Sequence, residues 1–505
     1  MLRTPRAAIF DLDGVIVDTA RLHGRAWKEA FDSFFAHRGL DDTFDEVDDY
    51  RGHVDGRPRY EGVAALLESR HIELPAGDPS DEPGFDTHAA IGNLKNQRFH
   101  ELVESEGVDV LDGADELIHS LDAQNVPMAV VSSSKNAPRV LPQRLASLID
   151  VVFSGIDVAE LEMPGKPAPD MFLEGARRLG VDPGSAAVVE DAPAGVRAGR
   201  LGGFAVVVGI DAEGSSHLEA SGADFVVGAV GSLPHDVEAW ADLVPDPPDA
   251  MESFAEIVDE LGERPAIFLD YDGTLTPIVE DPDAADIGDE ERAVLVEVAT
   301  RVPLAIVSGR GLADVKSHVA VEGITYSGSH GFEIEMADGR TIEQDAAAEA
   351  VPELDEAERM LRAGAADLAG IMIERKPYAI AVHTRRASTE GARVAAGELA
   401  HEVVSRFDGL VLRGGKEIHE LRPAIDWDKG AALSHLRSLL SGDPLPLYIG
   451  DDETDEDGFR AVRCEGGLGV LVGRRRGAET WADYTLEDPA RTIEFLSRLA
   501  SSLRA

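Results

Sequence analysis

The chain is short of cysteine, lysine, aromatic residues and long apolar runs, and each shortage excludes something. A single cysteine, Cys464, stands in 505 residues. That leaves no internal disulfide framework and suits a reducing cytoplasm. No stretch approaches the ~20 consecutive apolar residues that span a bilayer, and the opening MLRTPRAAIFDLDGVIVDTA holds no long apolar run, so neither a leader nor a membrane anchor is expected. Aromatic residues make up 6%. Lysine occurs at eight positions: 28, 95, 135, 166, 316, 376, 416 and 429. Acidic residues outnumber basic ones 95 to 47, for a formal charge of −48. Such a field repels polyphosphates and anionic lipids, which excludes nucleic acid and membrane partners. The acidic, lysine-poor surface is read as solvation and suits a salt-rich cytoplasm, where screening relieves self-repulsion. A phosphorylated substrate would then need cations held locally.

What is present is a repeat. RAAIFDLDGVIVDT near the start is echoed by RPAIFLDYDGTLTPI at residues 264–278. Each is an apolar, β-prone run followed by Asp-x-Asp-Gly, which reads as a buried strand delivering two carboxylates into a glycine bend. Pro245, Pro247 and Pro248 mark a linker between the two copies. We expect domains at 1–244 and 251–505 joined by 245–250, since the chain is too long for one core. Each half has a second apolar run ending in a hydroxyl, Ser132 in MAVVSSSKN and Ser308 in LAIVSGRG. A lysine follows in each, Lys166 in GKPAPD and Lys429 in DWDKGAA. Next comes a strand ending in acids, Glu190 and Asp191 in the first half, Asp451, Asp452 and Asp455 in the second. Strands alternating with helical patterns predict an α/β fold, two doubly wound parallel sheets whose sites lie at the carboxyl ends of the strands.

Spacing separates the halves. In the first, Asp11 to Ser132 is 121 positions and Ser132 to Lys166 is 34; in the second, Asp270 to Ser308 is 38 and Ser308 to Lys429 is 121. A bare strand-helix-strand unit needs about 30 residues. Each half therefore carries one large insertion, at a different point. The first, about 20–95, reads as a helical cap, and the second, about 335–420, as an α+β cap. Caps at the rim of a catalytic sheet choose substrates.

The four signals suit phosphoryl transfer. A phosphate monoester carries about two negative charges, so an attacking carboxylate needs a metal and a lysine to offset repulsion. The first aspartate, Asp11 or Asp270, attacks and becomes an aspartyl-phosphate. The second, Asp13 or Asp272, protonates the leaving oxygen and later activates water. Ser132 with Lys166, and Ser308 with Lys429, hold the transferring oxygens. The distal acids complete an oxygen shell for Mg²⁺.

On these motifs both halves resemble the haloacid dehalogenase superfamily. The C-terminal half looks like trehalose-6-phosphate phosphatase through LDYDGTLTPIVEDP, VSGR, GSHGFEI, ERKPYAIAVHTR, GKEIHELRP, DWDKGAAL and GDDETDEDGF. The resemblance implies trehalose 6-phosphate as substrate. It makes Asp270 the nucleophile and Asp272 the acid/base, and it puts Asp270, the Asp272 carbonyl and Asp451 on Mg²⁺ with Asp455 supporting that shell. It offers Lys416, Glu420, Lys376, His383 and Arg385 as grips for the sugar, Lys416 and Glu420 first. His330 and Glu333 either touch ligand or anchor a strand end, and Trp427 packs.

The N-terminal half resembles β-phosphoglucomutase through FDLDGVIVDTARLHGRAW, SSSKN, GKPAPD and VVEDAPAGVRAG. That resemblance implies Asp11 as phosphate acceptor and Asp13 as acid/base, with Asp11, Asp13, Glu190 and Asp191 at the metal. Thr19 and His23 lie at the cap hinge, Arg59 and Lys95 meet the distal phosphate, and β-glucose 1-phosphate is the implied substrate. A surface role for Arg59 is the alternative. So, for the half as a whole, are a phosphatase of another small sugar phosphate and a non-catalytic binding module.

Overall fold

A computed structural model of the chain describes residues 2–54, 57–212, 214, 217–279, 285–343, 345–415, 418–425 and 427–503. The chain divides into two compact units, Met1–Pro245 and Asp246–Ala505.

In the first unit the strands are β1 (Ala7–Phe10), β2 (Val17–Asp18), β3 (Asp109–Val110), β4 (Met128–Val131), β5 (Val151–Phe153), β6 (Ala186–Glu190), β7 (Val206–Ile210) and β8 (Phe225–Val227). Six of them form one sheet in the order β5-β4-β1-β6-β7-β8, parallel throughout. The central strands read AAIF, MAVV, AAVVE and VVVGI and are buried along their whole length. A parallel sheet covered on both faces needs such runs. Period-2 alternation sends Ala8, Phe10, Val130 and Val189 to one core and Ile9, Val131 and Val188 to the other. β2 and β3 pair as a short antiparallel ribbon at the root of the helical insertion. That insertion holds helices α1 (Ala20–Arg38), α2 (Arg59–Ser69) and α3 (His88–Glu106). Trp27, Phe31, Phe34, Phe35, Leu66 and Ile91 give it a core of its own.

In the second unit the strands are β9 (Ala266–Leu269), β10 (Leu304–Val307), β11 (Thr325–Gly328), β12 (Glu333–Glu335), β13 (Thr341–Glu343), β14 (Met372–Lys376), β15 (Ala379–His383), β16 (Leu410–Gly415), β17 (Ile418–Pro423), β18 (Pro446–Gly450), β19 (Leu468–Val472) and β20 (Tyr484–Leu486). The core sheet runs β13-β12-β11-β10-β9-β18-β19-β20. It is parallel except at one edge, where β12 and β13 turn back antiparallel. Residues 341–343 thus belong to the catalytic sheet, which places the start of the insertion after them rather than near 335. The insertion carries an antiparallel sheet, β14-β15-β17-β16. One face packs Ile380, Val382 and Leu421 onto Leu354, Leu361, Ala396 and Val403 of two helices. The opposite face carries charge. The expected α/β class and both cap types are what the chain forms. Among the described residues no helix is long and apolar enough to cross a membrane.

Candidate active sites

In the second unit β9 ends where Asp270 takes over, its N–H donating to the Ile449 carbonyl at 2.8 Å. Asp270 is 5% exposed. Gly273 follows at φ +82, and a Cβ there would sit 2.1 Å from Asp451 Oδ2. A side chain at 273 would therefore displace Asp451. Ser308 caps β10, buried, with its Oγ accepting the Arg310 N–H at 3.1 Å. Lys429 opens the helix Lys429–Ser438, 4% exposed. Its Nζ donates to Asp270 Oδ1 at 2.8 Å and to Asp455 Oδ1. Asp455 Oδ1 also accepts the Tyr448 hydroxyl, while its Oδ2 accepts the Asp451 and Asp452 N–H groups at 2.8 and 2.9 Å. Both Asp455 oxygens are thus committed to bracing the loop and the lysine.

Oxygens of Asp270, Asp451 and Asp455 lie within 4.8 Å of one another. Burial raises the Asp270 carboxyl well above its ordinary range, with Asp455 and Asp451 adding to it against Lys429. Asp451 is pushed up to about 7 by burial and by Asp455 and Asp452. For Lys429 burial acts downward, but Asp270 and Asp455 outweigh it and hold the ammonium charged. Crowded carboxylates that resist ionisation, with neither thiolate nor imidazole in the set, fit a hard divalent cation.

The cap sheet offers its polar face through register. Glu374, Ala381, Glu420 and Arg413 align across four strands, and small Ala379 and Ala381 leave a floor between longer side chains. Lys376 Nζ donates to Glu420 Oε1 at 2.9 Å and Arg422 Nε to Glu420 Oε2. Burial would raise Glu420, but Lys376 and Arg422 hold it down at about 2. Arg422 Nη2 also bonds His330 Nε2 at 2.7 Å, joining cap to core. A tight cleft lies among Gly309, His330, Lys376, Tyr378, Glu420 and Arg422. His330 sits at φ +57 and is neutral, its pKa driven well down by burial and by Arg422. Glu333 accepts from the Ser329 hydroxyl at 2.8 Å and from the Leu312 N–H at 3.4 Å, so it ties a strand end. His383 is engaged by Glu374 at 2.7 Å. Arg385 is exposed beyond the end of β15, and Trp427 Nε1 donates to the His330 carbonyl. Lys416 lies outside the described residues.

The first unit repeats the core arrangement with different neighbours. Asp11, 8% exposed, follows β1, and its N–H donates to Val189 O at 2.9 Å. Lys166 Nζ donates to Asp11 Oδ1 and Glu190 Oε1, both at 2.5 Å. A Cβ at Gly14, φ +80, would sit 1.8 Å from Asp191 Oδ2. Ser132 is buried at the end of β4, its Oγ accepting the Ser134 N–H at 3.1 Å. Burial first, against Lys166, raises Asp11 to about 6, and burial with Glu190 and Asp11 raises Asp191 to about 8. Asp13 is raised to about 6 by burial, although the Thr19 hydroxyl donates to it. In the cap, Lys95 Nζ lies 2.5 Å from His23 Nδ1 and stands 5.0 and 5.2 Å from the Trp27 and Phe99 ring centres. Burial and Arg59 lower Lys95 to about 7; burial, Lys95 and Arg59 push His23 well below its ordinary range. Arg59 donates to Asn96 at 2.9 Å, and Asn96 meets Asn136 of the SSSKN loop at 3.0 Å.

Three residues escaped the sequence reading: Arg310, Glu374 and Arg422. Arg310 binds both Asp272 oxygens at 2.7 Å. Its signal was its place two residues after Ser308. Glu374 and Arg422 share the alternation of Lys376 and Glu420 on their strands.

A family model for trehalose-phosphatase matches residues 268–490, and one for haloacid dehalogenase-like hydrolases matches residues 5–203. Over 519 aligned residues the chain is 38% identical to an uncharacterized glycosyl hydrolase of Mycobacterium tuberculosis, covering 99% of this chain and 38% of that one. The chain therefore spans well under half the length of that relative. A trehalose-phosphate phosphatase of Mycobacterium avium is 42% identical over 349 residues, 66% of this chain and 88% of its own. A putative β-phosphoglucomutase from Thermotoga maritima, a solved structure, matches 47% of this chain and 99% of its own at 23% identity and a TM-score of 0.37.

Proposed function

The chain belongs to the trehalose-phosphate phosphatase family, and from that premise we propose that residues 251–505 hydrolyse trehalose 6-phosphate to trehalose and phosphate. One observation carries the reading: Lys429 joins Asp270 to Asp455 beside Asp451, with Ser308 on the next strand and the Lys376–Glu420–Arg422 face of the cap across the cleft. Asp270, Asp451 and the Asp272 main-chain carbonyl would hold Mg²⁺, with Asp455 bracing Asp451. When bound, the ion offsets charge on the phosphate and on the attacking carboxylate.

The chain's own groups then act in order. Ser308 and Lys429 hold phosphoryl oxygens, and an Asp270 oxygen attacks phosphorus opposite the sugar oxygen. Asp272 gives that oxygen a proton as its bond to phosphorus breaks, leaving trehalose and an aspartyl-phosphate. Asp272 next takes a proton from water, which attacks phosphorus and frees Asp270. Glu420 and Lys376 supply acceptor and donor for sugar hydroxyls, with Lys416 proposed beside them.

We propose that residues 1–244 are a β-phosphoglucomutase-like phosphotransferase acting through Asp11 and Asp13 with Mg²⁺ among Asp11, Glu190 and Asp191. Burying Lys95 and His23 together, with Arg59 close by, costs free energy that an incoming phosphate recovers. A second phosphate is what a mutase substrate presents. The composition suits a cytoplasmic setting for both activities.

Phosphate release from trehalose 6-phosphate by wild type, Asp270→Asn and Asp11→Asn tests the assignment. Asp270→Asn should lose at least about 10³-fold while Asp11→Asn stays within about twofold. Hydrolysis that survives Asp270→Asn unchanged refutes it. Conversion of β-glucose 1-phosphate to glucose 6-phosphate, with Mg²⁺ and a bisphosphate primer, should show the reverse dependence.

A further inference from the structure

Two residues after the phosphate-loop hydroxyl, the halves differ: Ser134 follows Ser132, but Arg310 follows Ser308. The Arg310 guanidinium meets Asp272 edge to edge, Nε to Oδ2 and Nη2 to Oδ1, each at 2.7 Å. Nη1 reaches Asp314 at 3.2 Å, the guanidinium carbon stands 5.5 Å from the Tyr271 ring centre, and the main-chain N–H is tied to Ser308 Oγ. The same group thus touches the residue that must protonate the leaving oxygen and the loop that must receive the phosphate. Each carboxylate oxygen of Asp272 accepts one N–H of the fork, so the guanidinium fixes where the half-exposed carboxyl points. Phosphate is the other planar-fork partner a guanidinium prefers.

We propose that Arg310 is a positioning residue, a clamp on Asp272 that an entering phosphate ester loosens. Resting on the phosphatase reading, the step is as follows. Phosphoryl oxygens arriving beside Ser308 draw one N–H of the fork away from Asp272, while the other keeps the carboxyl aimed. The freed oxygen carries a proton taken from solvent and passes it to the ester oxygen as that oxygen leaves phosphorus and Asp270 bonds to it. Arg310 stays charged throughout and transfers nothing. Acid assistance is then coupled to phosphate binding by the loop itself.

The test compares kcat/KM, which covers binding and the first phosphoryl transfer, for sugar esters and for p-nitrophenyl phosphate, whose leaving group departs without a proton. The full chain is assayed as wild type, Arg310→Ser, Arg310→Lys, Asp272→Asn and Asp272→Asn with Arg310→Ser. Aligned acid catalysis contributes about 10²–10⁴-fold. Arg310→Ser should therefore cost trehalose 6-phosphate and glucose 6-phosphate at least about tenfold more than the aryl ester, and Arg310→Lys should recover part of that. On the Asp272→Asn background the serine should cost less than about threefold. Equal losses on both ester types, or an undiminished loss beside Asp272→Asn, overturn the clamp. A wild type that cleaves glucose 6-phosphate but not trehalose 6-phosphate refutes the substrate assignment alone, and the glucose ester still decides the clamp. One inert to every ester refutes both.

Discussion

Replacing Lys95 by methionine should make the protein more stable at neutral pH while disabling the N-terminal site. Lys95 is 5% exposed, and its pKa falls from 10.5 to about 7, through burial first and then Arg59. The unfolded chain therefore binds more protons than the folded one between pH 7 and 10.5, so this group makes stability rise with pH across that window. At pH 7 the unfolded lysine is fully charged and the folded one about half charged, which corresponds to a penalty of about 4 kcal/mol. Against this stand the interactions the ammonium makes in the folded protein: the Trp27 and Phe99 faces at 5.0 and 5.2 Å and the bond to His23. Together these amount to about 2 kcal/mol, since the ring terms act on the charged form alone. Methionine fills the same channel with an unbranched chain. A net gain of about 2 kcal/mol follows at pH 7, and it should vanish or reverse near pH 10.5. Urea unfolding of the full chain at both pH values, followed by tryptophan fluorescence with Trp27 beside the site, reads this out. The proposed mutase turnover should fall by at least about tenfold in the same variant, because the buried cation proposed to meet the distal phosphate is removed. A Lys95→Met protein less stable at pH 7, or shifted equally at both pH values, refutes the reasoning.

Gly273→Ala puts a Cβ 2.1 Å from Asp451 Oδ2 at φ +82; phosphate release should drop at least about 100-fold, with the far-ultraviolet spectrum unchanged, because Asp451 is pushed from its place. Arg422→Met removes the bonds to Glu420 and His330. The KM for trehalose 6-phosphate should rise about tenfold, the worth of one charge-assisted hydrogen bond, while kcat/KM for p-nitrophenyl phosphate moves less than about twofold.

The catalytic edges were legible because a parallel sheet has one rule for them. Side chains following the carboxyl ends of neighbouring strands converge, so Asp270, Ser308 and Asp451 come to one edge of the sheet whatever the loops between them do. What escaped needed pairing that a single strand does not announce. Arg310 reaches Asp272 across 38 positions, and Arg422 reaches His330 across 92. Each could have bonded any acid nearby, and only packing decides which. The sheet membership of Thr341–Glu343 escaped for the same reason: the run is strand-like, but its partner is the short β12, which turns back along β11. Lys95 stood out because lysine is scarce, yet scarcity said nothing of its lowered charge, which comes from burial among α1 and α3 side chains.

The contrast in what holds the second aspartate bears on why one fold would run two reactions. In the first unit Asp13 accepts the Thr19 hydroxyl, and Thr19 is the residue from which α1 of the cap departs. One turn along that helix His23 meets Lys95 of α3. The aim of Asp13 is therefore tied to the cap, which in the proposed mutase would shut before a second sugar hydroxyl, and not water, reaches the aspartyl-phosphate. In the second unit Asp272 is held by Arg310, on the phosphate loop of the core. On the proposed reading the cap there chooses the sugar through Glu420, Lys376 and Arg422, and phosphate binding releases the acid. Water is the wanted second reactant in that half, so tying the acid to the phosphate costs it no selectivity, whereas the same arrangement in the first half would let hydrolysis compete with transfer.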